Sequence, residues 1–461
     1  HAPRALWGVN LAYVLEGTAY FGVLSYLAIY FSDDVFRGVP NPDVPSGLMV
    51  GVLTAGITLS MFFIGFVADK FGVRRALIWA FFFLLGGRIL IAGAGYTFEP
   101  AGLGSALHLA TMAGIALIVI GYGMYQPAAY TAVKQFTNPK TAGMAFAMLY
   151  ALMNLGGWLP SFAFLLRDDD YLGLGIGGVF WVYAALTVAA LFITITFLNK
   201  TTVAKAIADA KAETAAIKAA EKGEQAPVEV DAVNADESLE TKAGPVGLWA
   251  NVKDWLVNHP FTDPKFTFFI FALIPVQTLF AYNWLVLPVY INRSYTGWIG
   301  EYFEIAANFN PILIFIFAPS VAAVTQKRKV YNMMIAGTFI MAAPAFFLAF
   351  GTNGYLLFAY LLIMTIGEAM WQPRFLQYAA EIAPEGRTGV YMGVAQFPWF
   401  LTKLIVPLYS GTLIAKYVPA EGFKNPEKLW LISACIAMAS TVLLVLARGW
   451  IGKDFKTKAD D

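Results

Sequence analysis

Long runs of hydrophobic residues dominate the chain, and polar residues gather in short stretches between them. A transmembrane helix needs about 20 predominantly apolar residues. The pattern predicts twelve such spans, and several exceed the bilayer thickness, which indicates tilt or extension into water. The predicted spans are residues 5–31, 46–69, 74–96, 104–133, 140–167, 171–198, 265–292, 296–325, 330–351, 354–383, 387–417 and 427–449.

A polar segment, residues 199–262, separates the sixth predicted span from the seventh. It opens with an Ala/Lys/Glu-rich run at 205–222, which predicts a helix. The acidic stretch 224–240 has too little apolar surface to fold. Residues 245–259 carry Leu and Trp at helical spacing, which predicts an amphipathic helix along the cytoplasmic membrane face. The predicted domains are a six-helix bundle at 1–198, this cytoplasmic linker at 199–262, and a second six-helix bundle at 263–461.

Composition agrees with a membrane protein and excludes other classes. Hydrophobic residues make up 59% and charged residues 13%, with a mean hydropathy of +0.63, whereas a soluble domain carries about 25% charged residues. The net charge of +1 argues against nucleic acid. A single cysteine, Cys435, excludes an intrachain disulfide. No phosphate loop, nucleophile elbow or metal-spaced His/Cys cluster is present, so we expect no enzymatic activity, cofactor or metal.

Basic residues concentrate in alternate loops. One set of loops holds Lys70, Arg74 and Arg75, then Lys134 and Lys140, and the Lys-rich linker, while the opposite loops are acidic or neutral. The positive-inside rule therefore predicts that both termini are cytoplasmic.

Five ionisable residues fall well inside predicted spans: Glu16, Arg88, Glu368, Arg374 and Lys403. Each costs at least about 2.5 kcal/mol at membrane depth and needs a partner or a water-filled cavity. We interpret Glu368 as a site for a substrate cation or a proton, with a permanent salt bridge to Arg374 or Lys403 as the alternative.

The remaining charges leave similar alternatives. Glu16 is either a proton site sharing a cavity with Tyr20 and Arg88, or the partner of Arg88 in a static ion pair. Lys403 either pairs across a cavity or lines a gate. Neutral polar residues supply further candidate lining, with interfacial anchoring, packing or helix–helix hydrogen bonding as the alternatives. They are Tyr20, Tyr125, Tyr130, Tyr150, Asn154, Gln277, Asn283 and Gln396. Gln372 lies four residues after Glu368 and shares its helix face.

The loop after the second predicted span reads Gly65-Phe-Val-Ala-Asp69-Lys-Phe-Gly72-Val-Arg74-Arg75. It resembles the G-x-x-x-D-x-x-G-x-R-R/K motif of major facilitator transporters. The resemblance implies that family's fold and a role for this loop in gating.

Further stretches resemble the proton-dependent oligopeptide transporters within that superfamily. They include Gly121-Tyr-Gly-Met-Tyr125-Gln126-Pro127 and Leu149-Tyr150-Ala-Leu-Met-Asn154-Leu-Gly156-Gly157. Gly367-Glu368, followed by Pro373, completes the resemblance. It implies that Glu368 meets a peptide amine.

Three spans depart from the family pattern. Gln126 stands where these transporters carry a lysine, which binds the peptide carboxylate, and the first-span motif keeps only Glu16 of its charged residues. The seventh span, around Gln277, has no carboxylate where the family usually has one.

The expected protein is an all-α major facilitator transporter, a monomer in a bacterial inner membrane, that takes up small peptides or peptide-like solutes with protons. A transporter of another solute (an organic anion, metabolite or drug) and a non-transporting receptor or assembly factor are the alternatives. The expected substrate-binding residues are Glu368, Tyr20, Tyr125, Gln126, Tyr150, Asn154, Gln277, Gln372 and Lys403. Glu16, Glu368 and Arg88 are expected to couple protons, and Gly65, Asp69, Gly72, Arg74 and Arg75 to gate.

Overall fold

The computed structural model describes residues 3–40, 43–99, 102–222, 259–301, 306, 309–325, 327–384, 386–419 and 422–451. Every regular element within these residues is helical. In chain order the helices of the first half are Arg4–Tyr30, Phe31–Val35, Asp43–Ile64, Val67–Phe71, Val73–Thr97, Ala106–Gln135, Pro139–Trp158, Leu159–Phe162, Phe164–Arg167, Gly175–Phe197 and Lys200–Lys222. Those of the second half are Pro260–Thr262, Pro264–Ala272, Ile274–Leu285, Leu287–Ser294, Trp298–Glu301, Phe309–Thr325, Val330–Ala342, Ala343–Ala349, Gly354–Ile382, Thr388–Ala395, Phe397–Tyr417, Pro426–Leu446 and Ala447–Gly449.

These helices supply the twelve predicted spans. In the described part of the chain, nine segments are long and apolar enough to cross a membrane. Two shorter apolar helices, Leu48–Ile64 and Phe309–Thr325, take the second and eighth positions, and the 27-residue helix Arg4–Tyr30 is the first. The predicted all-helical fold with twelve spans is confirmed.

Proline divides several spans that hydropathy alone predicts as continuous. Because proline lacks a backbone N–H and its ring clashes with the preceding turn, a helix ends shortly before it and a new one starts. Pro160 changes the end of the fifth span to a 3₁₀ turn, and Pro344 does so in the ninth. Pro275 opens the second helix of the seventh span, and Pro398 opens the second helix of the eleventh.

The second predicted span, 46–69, is shorter than expected. Its helix ends at Ile64, and a separate short helix, Val67–Phe71, carries the loop motif. Gly72 ends that short helix with φ of +82°, a conformation that favours glycine. The predicted linker helix is confirmed as Lys200–Lys222. The stretch 224–240 and residues 245–258 of the predicted amphipathic helix lie outside the described residues.

The structure divides into two compact units. The first holds the described parts of His1–Ala142, Leu152–Pro245 and Ala383–Val394, and therefore most of spans one to six with the start of the eleventh. The second holds the described parts of Gly143–Ala151, Val246–Ile382 and Ala395–Asp461. The fifth and eleventh spans each contribute residues to both units.

Within the first unit the third and fourth spans pack closely through glycine. A Cβ atom added at Gly87 would lie 2.5 Å from the Gly114 carbonyl oxygen, and one added at Gly114 would lie 2.7 Å from that of Gly87. Both distances are shorter than any ordinary carbon–oxygen contact, so the two backbones lie too close for a larger residue. Small residues allow this approach in membrane helices, where packing replaces the hydrophobic effect as the driving force.

We expect Gly87→Ala to destabilise the protein by about 1–3 kcal/mol, the usual cost of overpacking a filled interior. Gly51→Ala is the control, because the added Cβ at this helical glycine meets nothing within 4 Å. The thermal unfolding midpoint of the purified protein in detergent measures both changes. Equal midpoints for the two variants would show that the Gly87–Gly114 contact is not tight.

Candidate functional site

Glu368 lies in the tenth span with 1% of its surface exposed. The Tyr150 hydroxyl on the fifth span donates to its Oε1 at 2.5 Å. The amide nitrogen of Asn310 on the eighth span donates to its Oε2 at 2.7 Å and to Thr365 Oγ1 at 3.0 Å. Three spans therefore converge on one buried carboxylate, and both of its oxygens accept hydrogen bonds from neutral groups.

The alternative of a permanent salt bridge from Glu368 to Arg374 or Lys403 is wrong, because the partners of the Glu368 carboxylate among the described residues are Tyr150 and Asn310. Arg374 instead donates to Gln377 Oε1 at 2.8 Å and to the Thr325 carbonyl at 3.0 Å. Six residues separate Glu368 from Arg374, so helix geometry places them on different faces.

Glu16 forms a fully buried ion pair with Arg88. The two nitrogens Nη1 and Nη2 of Arg88 donate to Oε2 at 2.7 Å and Oε1 at 2.5 Å. The Tyr122 hydroxyl donates to Oε1 at 2.6 Å, and Arg88 also donates to Thr187. This cluster joins the first, third, fourth and sixth spans. Tyr20, the expected neighbour, packs against Tyr122 with its ring tilted by 59° and the ring centroids 4.8 Å apart.

Gln126 lies in the fourth span within a neutral cluster of aromatic and amide side chains. Its amide nitrogen donates to the hydroxyls of Tyr130 at 3.1 Å and Tyr13 at 3.4 Å, and the Tyr13 ring stacks on Tyr125 at 5.8 Å. Asn154 lies one turn after Tyr150 in the fifth span.

Aromatic rings of the seventh and eleventh spans pack together beside Lys403. The Lys403 ammonium lies 5.9 Å from the Trp399 ring centroid, and Trp399 lies 4.8 Å from Phe280. Gln277 precedes Phe280 by one turn and is fully buried, and neither of its amide atoms has a hydrogen-bond partner among the described residues. Gln372, which shares a helix face with Glu368, also has an unpartnered Oε1.

The loop motif forms a separate contact. The Asp69 carboxylate accepts the backbone N–H groups of Gly389 at 2.9 Å and Val390 at 3.2 Å, in the first turn of the eleventh span. Lys134 reinforces this contact by donating to Thr388 Oγ1 at 3.0 Å. Backbone N–H groups at a helix start stabilise a negative charge.

Two other motif residues, Gly65 and Arg74, also hold the loop in place. Gly65 allows the backbone of the second span to approach that of the eleventh span closely. A Cβ at Gly65 would lie 2.8 Å from the Gly389 carbonyl oxygen. Arg74 Nε donates to the Leu198 carbonyl at 2.7 Å and so holds the loop to the end of the sixth span. Arg75 adjoins it in the same helix start.

Burial raises the pKa of the Asp69 carboxyl from 3.8 to about 7. The hydrogen bonds from Gly389 and Val390 and the charges of Lys134 and Arg387 lower the pKa, but they offset only part of the desolvation. We call the form with Asp69 bound to Gly389 and Val390 the closed form, and a form with the Asp69 carboxyl in water the open form. Because the pKa of Asp69 is raised in the closed form, the closed form binds more protons than the open form.

Sequence analysis missed three members of these clusters. Asn310, Tyr122 and Thr187 are neutral polar residues in apolar runs, and many such residues only pack or hydrogen-bond within their own helix. Of the three, Asn310 was the easiest to recognise from the sequence, because an amide side chain in the middle of a span needs a hydrogen-bond partner. Within the described residues, no three His, Cys, Asp or Glu side chains lie close enough to hold a metal ion.

The sequence profile of the Major Facilitator Superfamily matches residues 3–407. The chain belongs to this superfamily and is a multi-pass membrane transporter. A curated relative, an uncharacterized MFS-type transporter YttB of Bacillus subtilis, is 28% identical over 180 residues. That match covers 37% of this chain and 44% of YttB, so the chain spans less than half the length of this relative.

Solved structures of the same fold cover nearly the whole chain. The proton:xylose symporter XylE, bound to 6-bromo-6-deoxy-D-glucose, has a TM-score of 0.65 at 14% identity and covers 99% of this chain and 98% of its own. A peptide transporter, POT, in complex with sulfate has a TM-score of 0.59 at 17% identity, with 98% and 95% covered. The human organic anion transporter MFSD10 has a TM-score of 0.60 at 14% identity, with 96% and 99% covered. At these identities the likeness shows the fold alone.

We expect Glu16→Gln to cost about 3–5 kcal/mol of folding free energy, because it leaves the Arg88 guanidinium buried without a counter-charge. The double variant Glu16→Leu with Arg88→Met should recover most of this loss, since a buried pair replaced by apolar residues is often neutral. Thermal unfolding midpoints compare the three proteins. A double variant no more stable than Glu16→Gln would contradict the uncompensated-charge explanation.

The raised pKa of Asp69 makes its contact pH-dependent. Because the closed form binds more protons, the contact is most stable in acid and weakens as pH rises from about 3.8 through about 7. Hydrogen exchange, corrected for the intrinsic pH effect, should show falling protection of the Gly389 and Val390 amides over this range. The Thr141 amide, bonded at 2.9 Å to the non-titrating Asn138 side chain, is the internal control. Protection at 389–390 that rises with pH would contradict the assignment.

Proposed function

We propose that the protein is a secondary active transporter that couples proton movement to the uptake of small peptides or peptide-like solutes by alternating access. The observation that carries the proposal is the environment of Glu368. Its carboxylate is buried at the middle of the tenth span, and Tyr150 and Asn310 hold it by neutral hydrogen bonds alone.

An ionised Glu368 in this environment is unfavourable unless a positive charge or a proton neutralises it. An ionised carboxylate at membrane depth costs several kcal/mol less when a proton or a substrate cation compensates it. Tyr150 and Asn310 position the carboxylate without compensating its charge, so a proton and a solute amine are alternative ligands of one group. Binding one and releasing the other would link solute movement to proton movement.

The contacts favour Glu368 over Glu16 as the coupling group. Arg88 already compensates the Glu16 charge and occupies both carboxylate oxygens, so a proton would have to displace a short bidentate ion pair. We therefore propose that the Glu16–Arg88 pair holds the first, third, fourth and sixth spans together while Glu368 exchanges its proton.

Two structural neighbours support the choice of chemistry. XylE is a proton:xylose symporter, and POT is a peptide transporter, so both proton coupling and peptide transport occur on this fold. The motif resemblance around Tyr150, Asn154 and Glu368 favours the peptide class.

A second candidate, transport of a small organic anion that lacks an amine, has one specific observation in its favour. Lys403 forms no ion pair among the described residues, so the site carries a cation whose counter-charge has to come from elsewhere. The two candidates differ in whether the solute needs an amine.

We expect an inward proton gradient to stimulate saturable uptake of labelled Ala-Ala by liposomes that contain the purified protein. Glu368→Gln should reduce the ratio of uptake with the gradient to uptake without it to unity, because glutamine cannot exchange a proton. Glu427→Gln is the control, since Glu427 lies in the first turn of the twelfth span, away from the buried carboxylate.

Unchanged gradient stimulation in Glu368→Gln would reject the coupling role. Uptake of acetyl-Ala-Ala equal to that of Ala-Ala would favour the organic-anion candidate, because acetylation removes the amine and keeps the carboxylate.

A further inference from the structure

Lys403 lies on the interior side of the eleventh span. Exposed apolar residues Leu404, Ile405 and Leu408 mark the side of this helix that meets lipid. Residues at helical spacing from Lys403 form a different stripe, in which Val406 and Ser410 are buried. The half-buried Lys403 side chain therefore points away from lipid, toward the polar interior of the second unit.

The Lys403 ammonium has no counter-ion of its own. No described carboxylate lies within ion-pair distance, and its one recorded contact is with the face of Trp399. A cation–π contact offsets only part of the cost of inserting a cation at membrane depth. An anionic ligand would supply the missing compensation.

A row of rings connects Lys403 with the helix that carries Glu368. Trp399 contacts Phe280 at a centroid distance of 4.8 Å, and Phe280 contacts Trp371 at 6.3 Å. Trp371 belongs to the tenth span, one turn beyond Glu368. The rings therefore link the helix that carries Lys403 to the helix that carries Glu368. Packed aromatic rings lower the local dielectric constant and strengthen the interactions of the lysine beside them.

Buried polar atoms without hydrogen-bond partners among the described residues lie on the same three helices. Gln277 lies one turn before Phe280, and both its amide oxygen and its amide nitrogen belong to this group. Gln372 follows Trp371 and has an unpartnered Oε1, and Thr402, beside Lys403, has an unpartnered hydroxyl. All three side chains are buried, with at most 2% of their surface exposed. Buried polar groups almost always have hydrogen-bond partners, so these atoms are available to form hydrogen bonds with a ligand.

The geometry points to a carboxylate subsite at Lys403. We propose that Lys403 binds the terminal carboxylate of the solute, and that Gln277 pairs with an amide group next to that carboxylate. A side-chain amide offers one acceptor and donors, the complement of a peptide group. The substrate class is a short peptide or an N-acyl amino acid. This inference rests on the proposed function and deepens it, because it moves carboxylate recognition from the fourth-span position, where Gln126 is neutral, to the eleventh span.

The test is calorimetric binding of Ala-Ala and its C-terminal amide to the purified full chain. We expect the wild type to bind Ala-Ala at least about tenfold more tightly than the amide, because only Ala-Ala presents a carboxylate to a desolvated cation. Lys403→Gln should lose this preference, while Lys403→Arg, which keeps the charge, should retain most of it. Lys416→Gln is the matched control, since Lys416 is exposed in the last turn of the same span and also lies over a ring, that of Tyr417.

The outcomes separate this inference from the proposed function. A carboxylate preference that survives in Lys403→Gln, confirmed as folded by its thermal midpoint, would overturn the subsite. Failure of wild-type protein to bind either Ala-Ala or acetyl-alanine would also overturn it. Lys403-dependent binding without gradient-driven uptake would leave the subsite standing and reject proton-coupled transport. Coupled uptake with no carboxylate preference would reject the subsite alone.

Discussion

The cost of placing charge inside a bilayer governs the interior of this protein. An ionisable side chain at membrane depth costs at least about 2.5 kcal/mol, so every such group needs a partner, water or a ligand. Each buried charge here meets that requirement differently. Arg88 and Glu16 neutralise each other. Glu368 receives only neutral hydrogen bonds, and Lys403 has only a ring face. The first pair is complete within the protein, whereas the other two groups are not.

This difference distinguishes a structural ion pair from groups that can bind ligands. The Glu16–Arg88 pair, with both carboxylate oxygens hydrogen-bonded, holds four spans together, and protonating Glu16 would break it. An incompletely compensated carboxylate and lysine, on helices that the Trp371–Phe280–Trp399 ring contacts link, are suited to ligands that carry the missing charges. The same desolvation cost acts at Asp69, in a different part of the protein. Burial there raises the pKa of a carboxyl that accepts hydrogen bonds from two backbone N–H groups.

The sequence predicted the fold well and the site in part. Hydropathy is a sum over about 20 residues, so it placed all twelve spans, yet it does not show the interruption near Pro398, which depends on a single residue. The buried charges were identified because such residues are rare in spans. Their partners were not, since whether Glu368 meets Arg374, Lys403 or Tyr150 depends on helix rotation and neighbour identity, which no local pattern encodes. Asn310 and Tyr122 were therefore found only in three dimensions.

The most direct test of the account is the change in bound protons when Ala-Ala binds to the purified protein in weakly buffered solution. The account predicts a proton change in the wild type and in the variant that replaces Glu16 and Arg88 together by leucine and methionine, and none in Glu368→Gln. A proton change that persists in Glu368→Gln, or that disappears when only the Glu16–Arg88 pair is replaced in a folded protein, would contradict it.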